Sequence, residues 1–425
     1  YPLLRRTRFF KSKGIGLEAK THPYGICSES KEQYMKKMLI FSLAYYPSNV
    51  SGAEAAIKEI TYRINPSDVE FHMVTLLFDR NALRNERMGN VYVHRVGFGG
   101  AYLSKMLFVP LSALKAKMLD CEHHFGALWA MMTYMLFPVV FSRIVGVRAP
   151  HILTLQDGDP YEKVFERWFI RPVLFILNYG FRTAAMIQAI SVFLAEWPRK
   201  RGYTGTVELI YNGANPRDMK DAVSEEEVEA MKQKLGKKPG DVFLVNTSRL
   251  VHQKAFDDII RALAKLPPNI KLLAVGSGAD EAMLKKLADE LGVSDRVIFT
   301  GQVDRGVVTL YRRAADIFVA PSRSEGLGNA FISALASRLP LIATQVGGMA
   351  DYVFDEKHNP NTHPTAWVID PDSPDQIVMK VKEILANKEK AREISVYART
   401  IVEKKYDWDN IAKDMRTKVF GAVLK

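Results

Sequence analysis

Short apolar runs alternate with longer amphipathic stretches along the chain, and this alternation occurs twice. In the first half, the runs predict strands over 38–43, 71–78, 90–96, 151–155, 186–191 and 207–211. In the second half they predict strands over 242–247, 270–275, 297–300, 317–320, 341–344 and 367–369, with helices over 256–265, 280–291, 307–314 and 330–337. Strands that alternate with helices are typical of parallel sheets joined by right-handed crossovers. We therefore expect an α/β protein with two doubly wound, Rossmann-like domains that face each other across a cleft, the default place for a ligand.

The same pattern suggests the domain limits. Residues 1–34 show no long apolar core, so we expect no secretory signal there and assign this extension no role. The basic and apolar residues from 35 onwards are typical of the opening of a cytosolic α/β protein. We expect the first domain over 35–215 and the second over 216–404. A C-terminal helix over 405–425 should pack back on the first domain.

Two stretches of the first half are harder to assign. Residues 101–119 are apolar and basic and predict a helix with a break at Pro110, and His123–His124 then end another candidate strand. The stretch 126–142 contains no charged residue and is rich in Met, Leu and Phe. It is slightly short for a bilayer span and contains Pro138, so we favour a buried helix over a membrane-dipping segment.

Composition and charge narrow the class of protein. The two cysteines give neither a disulfide framework nor metal-ligand spacing, which fits a reducing, cytoplasmic setting. The net charge is +12, and residues 35–215 contribute to it with 20 Lys/Arg against 14 Asp/Glu. A basic half is either a well-solvated surface or a face for nucleic acid, an anionic membrane or a phosphorylated substrate. Nucleic acid is the weakest of these, because basic and aromatic residues are not interleaved.

The most informative stretch is 316–353. The apolar run 317–320 is followed by the turn Glu325-Gly326-Leu327-Gly328-Asn329, a short helix and a second apolar run, which together predict one parallel βαβ unit. Glycines at a strand-to-helix junction let backbone N–H groups approach a ligand closely. The N-terminus of the following helix favours an anion such as a phosphate.

Five motifs, in order, resemble the retaining, nucleotide-sugar-dependent glycosyltransferases of family four. They are Ser51-Gly52-Ala53-Glu54, Asn212-Gly213, Ser248-Arg249-Leu250 with Lys254, Gly276-Ser277-Gly278, and Glu325-Gly326-Leu327-Gly328. Each motif alone is weak, whereas all five in the right strand context are specific. The resemblance runs from about residue 35 to the end and implies the two-Rossmann GT-B fold.

The resemblance also implies roles for particular residues. The catalytic set would be Arg249, Lys254 and Glu325: the two cations stabilise the leaving diphosphate in place of a divalent metal, and Glu325 faces the donor sugar. The residues expected to bind the donor are Gly52, Gly276, Gly278, Gly326, Leu327, Gly328, Asn329 and Ser333. On the acceptor side we expect Asp157, Asp159 and His123, with no metal site. No cofactor is expected beyond the co-substrate, a UDP- or GDP-sugar.

Several positions depart from the family's pattern. Ser333 stands where the family has a second glutamate, which holds the ribose of the donor. Ala255 and Arg338 stand where it has glycines, and Ser51 replaces the first glycine of the opening motif. The sequence thus leaves open an active enzyme or a weakened sugar-nucleotide-binding protein. The active enzyme would build a surface glycan or glycolipid at the inner face of the cell membrane, in contact with anionic lipid.

Overall fold

The computed structural model describes residues 36–47, 51–99 and 102–424. The predicted extension, residues 1–34, lies outside these ranges. The described residues contain two sheets of parallel strands with helices on both faces, in agreement with the predicted fold class.

The first sheet has the strand order β3-β4-β2-β1-β5-β6-β7-β8, and all its pairs are parallel except β3–β4. Alternation along β1 sends Met38 and Ile40 into one apolar core and Leu39 and Phe41 into another, so the sheet is buried on both faces. The strands are β1 Lys36–Phe41, β2 Val69–Leu76, β3 Asn85–Met88, β4 Val91–Val96, β5 Ala127–Met131, β6 His151–Leu155, β7 Met186–Ala189 and β8 Val207–Leu209.

The second sheet is fully parallel and has the order β11-β10-β9-β12-β13-β14. The chain crosses over between β11 and β12, so β9 and β12 are neighbours at the centre of the sheet, a switch point where open α/β sheets place ligands. The strands are β9 Val242–Asn246, β10 Ile270–Val275, β11 Val297–Gly301, β12 Ile317–Ala320, β13 Leu341–Ala343 and β14 Trp367–Val368.

Helices connect these strands and close the chain. They are α1 Gly52–Arg63, α2 Tyr102–Met106, α3 Phe108–His123, α4 Leu136–Ile144, α5 Tyr161–Phe165, α6 Leu174–Arg182, α7 Val192–Ala195, α8 Trp197–Lys200, α9 Pro216–Met219, α10 Glu225–Lys234, α11 Phe256–Leu263, α12 Glu281–Glu290, α13 Arg305–Ala314, α14 Asn329–Ala336, α15 Pro374–Ala386, α16 Lys388–Lys405, α17 Trp408–Asp414 and α18 Gly421–Val423. Short 3₁₀ turns occur at Thr133–Met135, Arg171–Val173, His252–Lys254, Ser294–Arg296 and Gly347–Asp351, and a π-helical turn spans Met415–Phe420.

The prediction of one buried helix over 126–142 is wrong. Its first part is β5, which pairs with β1 and β6 in the middle of the first sheet, and the α-helix begins only at Leu136. All five residues of β5 are buried, and such an uninterrupted apolar run has no periodicity that separates a central strand from a buried helix. Among the described residues, no helix is both long and apolar enough to cross a bilayer.

Three smaller predictions also need correction. His123 ends the helix α3 rather than a strand. The break in the helical stretch falls at Leu107, and Pro110 lies in the first turn of α3, where its missing N–H costs no hydrogen bond. The edge strand β3, of sequence NERM, was not predicted because it is polar and carries no apolar alternation.

The last residues of the chain return to the first sheet. Phe420 packs edge-to-face on Phe71 of β2 and on Trp129 of β5. Nζ of Lys36 donates to the carbonyl of Leu424 at 2.7 Å. The segment 408–424 therefore covers one face of the first sheet, together with α1.

Candidate active site

Two helix N-termini face each other where the two domains meet. Gly52 begins α1 and Asn329 begins α14, and a methyl group on Gly52 would lie 3.0 Å from Nδ2 of Asn329. The backbone N–H groups of residues 52 and 53, and of 326 to 330, donate to no residue in the described ranges. Both helix ends are therefore partly positive and have free donors, as an anion site requires.

The turn before α14 is held in shape by close backbone contacts. Gly328 has φ 85°, and the buried Tyr352 donates from its hydroxyl to the carbonyl of Leu327 at 2.7 Å. A methyl group on Gly326 would lie 2.4 Å from the carbonyl oxygen of Asp157, and one on Gly347 would lie 2.0 Å from that of Glu325. Glycine is needed at these positions because the turn is packed between two other backbone segments.

Lys254 and Glu325 form an ion pair at this turn. Nζ of Lys254 contacts Oε1 of Glu325, and the Ser322 hydroxyl lies 3.3 Å from the same oxygen. The two side chains are only 12% and 7% exposed, and Nζ also lies 5.8 Å from the ring centre of Phe331. Oε2 of Glu325 makes no hydrogen bond to the described residues, so it can accept one from a ligand hydroxyl.

Arg249 lies in the loop after β9, and its side chain is exposed. This side chain has no hydrogen bond or ion pair with any residue that the structure describes. Gly276 and Gly278 hold its loop: methyl groups there would lie 2.2 Å from the carbonyl oxygen of Ser248 and 2.1 Å from that of Leu250. The two glycines thus let the loop of Arg249 pack closely on the turn after β10.

Ser333 lies inside α14, and its hydroxyl is already bonded to backbone. It donates to the carbonyl of Asn329 at 2.8 Å and accepts from the amide N–H of Asn215 at 2.9 Å. Asn215 lies at the N-terminus of α9, so Ser333 ties the connection between the domains to α14. Its one proton is used in the bond to Asn329, so toward a ribose the hydroxyl could only accept a hydrogen bond.

The carboxylates predicted for the acceptor side have partners within their own domain. Asp157 is buried at the end of β6 and accepts from the Thr133 hydroxyl at 2.8 Å and from the Thr133 amide at 3.2 Å. Burial raises the pKa of Asp157 to about 6. Asp159 forms ion pairs with Lys163 at 2.9 Å and with Arg167 at 3.2 Å. Asp157 contributes its backbone rather than its carboxylate to the contact with Gly326.

His123 is not brought to this site. As the last residue of α3 it lies near the amino-terminal half of β2, where its ring contacts that of His72 at a centroid distance of 4.2 Å. The candidate site instead lies at the carboxyl ends of the strands. The structure therefore argues against His123 in an acceptor pocket.

The structure adds residues that the motifs did not indicate. Gln253 donates from Nε2 to the carbonyl of Gly158 at 2.5 Å and to that of Ser324 at 2.8 Å, so it joins the two domains. Arg323 forms a bidentate pair with Asp257 at 2.9 and 3.0 Å and holds the loop of Lys254 against the loop of Glu325. Neither Arg323, which stands between two serines, nor Gln253, which precedes Lys254, belongs to a recognisable sequence motif. Their contacts are therefore visible only in the structure.

The second half of the chain matches a known family. Residues 227–401 match the family described as glycosyl transferases group 1. A GDP-mannose-dependent alpha-(1-6)-phosphatidylinositol monomannoside mannosyltransferase of Mycobacterium tuberculosis is 33% identical over 189 residues, 42% of this chain and 46% of that protein. The matched segments span about half the length of the first curated relatives.

Solved structures extend the likeness to the whole fold. Sucrose-phosphate synthase from Thermosynechococcus elongatus superposes with a TM-score of 0.78 at 19% identity, over 91% of this chain and 100% of that one. The Anabaena protein HepE in complex with UDP-glucose gives a TM-score of 0.73 at 18% identity, over 91% and 99% of the two chains. The fold is therefore the two-domain GT-B fold.

Proposed function

We propose that this protein is a retaining glycosyltransferase that moves a sugar from a nucleoside diphosphate sugar to a glycan or lipid-linked acceptor. The observation that carries the proposal is the pair of facing helix N-termini with free N–H groups at Gly52 and at Gly326 to Asn329. They lie beside the buried pair Lys254–Glu325. This arrangement favours a diphosphate, and the family match over 227–401 favours sugar transfer.

In the mechanism that we propose, the bond from the anomeric carbon to the diphosphate breaks while the acceptor oxygen bonds to the same carbon on the same face. An oxygen of the leaving diphosphate takes the acceptor's proton. Arg249, Lys254 and the free amides stabilise the charge that develops on the diphosphate. Oε2 of Glu325 accepts from a hydroxyl of the donor sugar. These groups are fixed cations and dipoles, so we expect transfer without a metal at this site.

The relatives suggest the class of donor and acceptor. The Mycobacterium protein uses GDP-mannose and a phosphatidylinositol mannoside, and the Anabaena structure contains UDP-glucose. An alpha-monoglucosyldiacylglycerol synthase of Acholeplasma laidlawii is 31% identical over 157 residues. We therefore propose a UDP- or GDP-hexose as donor and a glycolipid as the first acceptor class to test.

A lipid-linked acceptor would require contact with the cytoplasmic face of a membrane. We propose a basic, aromatic face of the first domain for this contact, around α6. Trp168 is 83% exposed and Phe175 is 66% exposed. The other exposed members of this face are Phe169, Tyr179, Arg171 and Arg182. Aromatic side chains insert at the headgroup level, while arginines attract anionic lipid.

Vesicle binding tests this face directly. The protein should pellet with phosphatidylglycerol vesicles at low salt, less so at high salt, and not with phosphatidylcholine vesicles. Changing Trp168 and Phe175 to Ser together should abolish pelleting. Tyr62→Ser should not, although Tyr62 is 74% exposed on α1. Equal pelleting of the two variants would remove this face from the proposal.

A donor panel tests the main proposal. The protein is incubated with UDP-, GDP- and ADP-hexoses, with and without glycolipid acceptors, and both binding and product formation are measured. We expect saturable binding of one donor and product whose anomeric configuration matches that of the donor. Binding of no donor, or an inverted product, would contradict the proposal.

A donor-binding protein with weak or no transfer activity is the second candidate, and Ser333 favours it. Its hydroxyl is bonded to Asn329 and Asn215, and no carboxylate stands at this position to hold a ribose. Ser333→Glu tests this: a gain in donor affinity would place position 333 at the ribose, whereas no gain would leave Ser333 as a link between the domains. Ser333→Ala, which removes only the link, is the matched control. Donor binding without turnover on any acceptor would favour this second candidate.

A further inference from the structure

Three potential metal ligands meet in the amino-terminal half of the first sheet. Glu70 and His72 are two residues apart on β2 and so point to the same face, and His123 ends α3. Ligand atoms of these three residues all lie within 4.8 Å of one another. Nε2 of His72 lies 3.0 Å from Oε1 of Glu70. Two ligands of one zinc ion are separated by roughly 3.3 Å, given Zn–N and Zn–O lengths of about 2.0–2.1 Å.

Two further side chains are placed to orient His72. Nδ1 of His72 lies 3.2 Å from Nε2 of His94, whose Nδ1 lies 2.9 Å from Oδ1 of Asn85. If Nδ1–H of His94 donates to Asn85, Nε2 of His94 is free to accept from Nδ1–H of His72. In that tautomer Nε2 of His72 carries a lone pair, which faces the carboxylate of Glu70. A cation between these two acceptors satisfies both. Such outer partners are typical of metal-bound histidines.

The charges around the cluster also bear on a cation. His123 lies at the C-terminal end of a helix of 16 residues, where backbone carbonyls favour positive charge. Two lysines oppose a cation here: Lys37, with Nζ 3.8 Å from Oε1 of Glu70, and Lys115, whose charge acts on His94. The Lys37 side chain is 28% exposed and can turn to solvent.

We propose that Glu70, His72 and His123 bind a divalent transition-metal ion, Zn²⁺ in the first instance, with water completing the coordination. Two imidazoles and one carboxylate are a ligand set that zinc accepts and that calcium and magnesium disfavour. The ion would join β2 to the end of α3 and act on stability, away from the proposed donor site. The sequence pattern missed it because Glu-x-His is short and His123 is distant in the chain.

Titration of untagged, chelator-treated protein with ZnCl₂ tests this site. We expect one saturable site per chain by calorimetry, a higher melting temperature with Zn²⁺, and a visible Co²⁺ spectrum of tetrahedral intensity. His72→Ala and His123→Ala should each weaken binding by about 100-fold or more. His94→Phe should weaken it by about 10–100-fold, the range for an outer partner. Lys37→Met should tighten it, because a competing cation is lost.

His124→Asn is the matched control. His124 is exposed, adjacent to His123 and has φ 53°, a conformation that asparagine tolerates, so Zn²⁺ affinity should not change. If circular dichroism shows that an alanine variant does not fold, Glu70→Gln provides the same test, because it removes the charge and keeps the size of the side chain. The proposal is overturned if the parent protein shows no saturable Zn²⁺ site, or if the His72 and Glu70 variants bind as the parent does. Chelation should leave donor binding unchanged, so this result and that of the donor panel can be separated.

Discussion

The carboxyl edges of the two sheets differ in what they offer to a ligand. The edge of the second sheet offers the exposed Arg249, the pair Lys254–Glu325 and a run of free backbone amides before α14. The edge of the first sheet offers mostly backbone, because the carboxylate of Asp157 points inward to Thr133 and Asp159 is paired with its neighbours. With the function proposed above, this difference predicts separate roles: the second sheet would bind the anionic donor, and the first would hold the acceptor.

Lys254→Met tests these separate roles with the largest expected effect. It removes a cation from the proposed diphosphate site and leaves Glu325 buried without its counter-ion. We expect kcat/KM to fall by about 10³-fold, and the free energy of unfolding to fall by roughly 3 kcal/mol because one partner of a buried pair is lost. Steady-state kinetics and urea unfolding measure the two effects.

Two controls make this result specific. Lys265→Met removes a lysine that is 53% exposed at the end of α11, and it should change neither quantity. Asp159→Asn removes a charge from the edge of the first sheet and should leave donor affinity unchanged. A loss of donor affinity in Asp159→Asn as large as that in Lys254→Met would contradict the separate roles of the two sheets.

Arg249→Ala should have the next largest effect, on donor binding and turnover rather than on folding stability. Because Arg249 is exposed and has no partner among the described residues, the free energy of unfolding should stay within about 0.5 kcal/mol of the parent. The kcat should fall by about 100-fold, the loss typical of one group removed from a developing charge, and donor affinity should fall as well. Steady-state kinetics measure the kcat and calorimetry with the donor identified by the panel measures the affinity, and an unchanged affinity would mean that the donor binds elsewhere.

The sequence was a good guide to the fold where polar residues interrupt the apolar runs. β6, β10 and β12 were predicted to the residue, because proline, glycine or polar residues bound each run. β5 was missed because the stretch around it is apolar throughout, so neither a period of two nor one of 3.6 is visible. The apolar first half of the chain was for this reason harder to predict than the second.

Some residues of the candidate site were also predictable from the sequence, and others were not. The motifs identified Lys254 and Glu325, and the structure brings them together, since they follow two neighbouring strands, β9 and β12. The contacts of Gln253 and Arg323 depend on how loops from distant parts of the chain meet, and single-residue patterns do not record this. The metal ligands of the first sheet escaped notice for the same reason.

Asp157→Asn tests whether Asp157, at the carboxyl edge of the first sheet, affects folding stability rather than donor binding. Burial raises the pKa of Asp157 to about 6, above roughly 4 in an unfolded chain, so the folded protein binds the proton more tightly. The stability from this group is present below about pH 4 and is lost as the pH rises through about 6. Asp157→Asn should therefore flatten this slope, which removes a loss of stability on the order of 1–3 kcal/mol between pH 4 and 7.5.

Urea unfolding across pH 4–8 measures the effect of Asp157→Asn against the parent. Burial also raises the pKa of Asp258 to about 6, but this residue is present in both proteins, so the difference isolates position 157. Donor affinity should not change. A parallel pH dependence of the two proteins would mean that Asp157 is not the group that titrates.

Arg338→Gly should have the smallest effect, at the far end of the helix that begins at the proposed donor site. Arg338 follows α14 with φ 58°, where the family resemblance expects glycine and where a side chain costs about 1–2 kcal/mol. The ion pair of Arg338 with Asp221, at 3.2 Å, offsets little of that cost, because the Arg338 side chain is 45% exposed. Arg338→Ala loses the same ion pair but keeps the strained backbone. Arg338→Gly should therefore be more stable than Arg338→Ala by about 1 kcal/mol in urea unfolding, with donor affinity equal in both. Equal stability of the two variants would show that the backbone at position 338 relaxes. A difference in donor affinity would mean that the backbone conformation after α14 affects the amides at the N-terminus of the same helix.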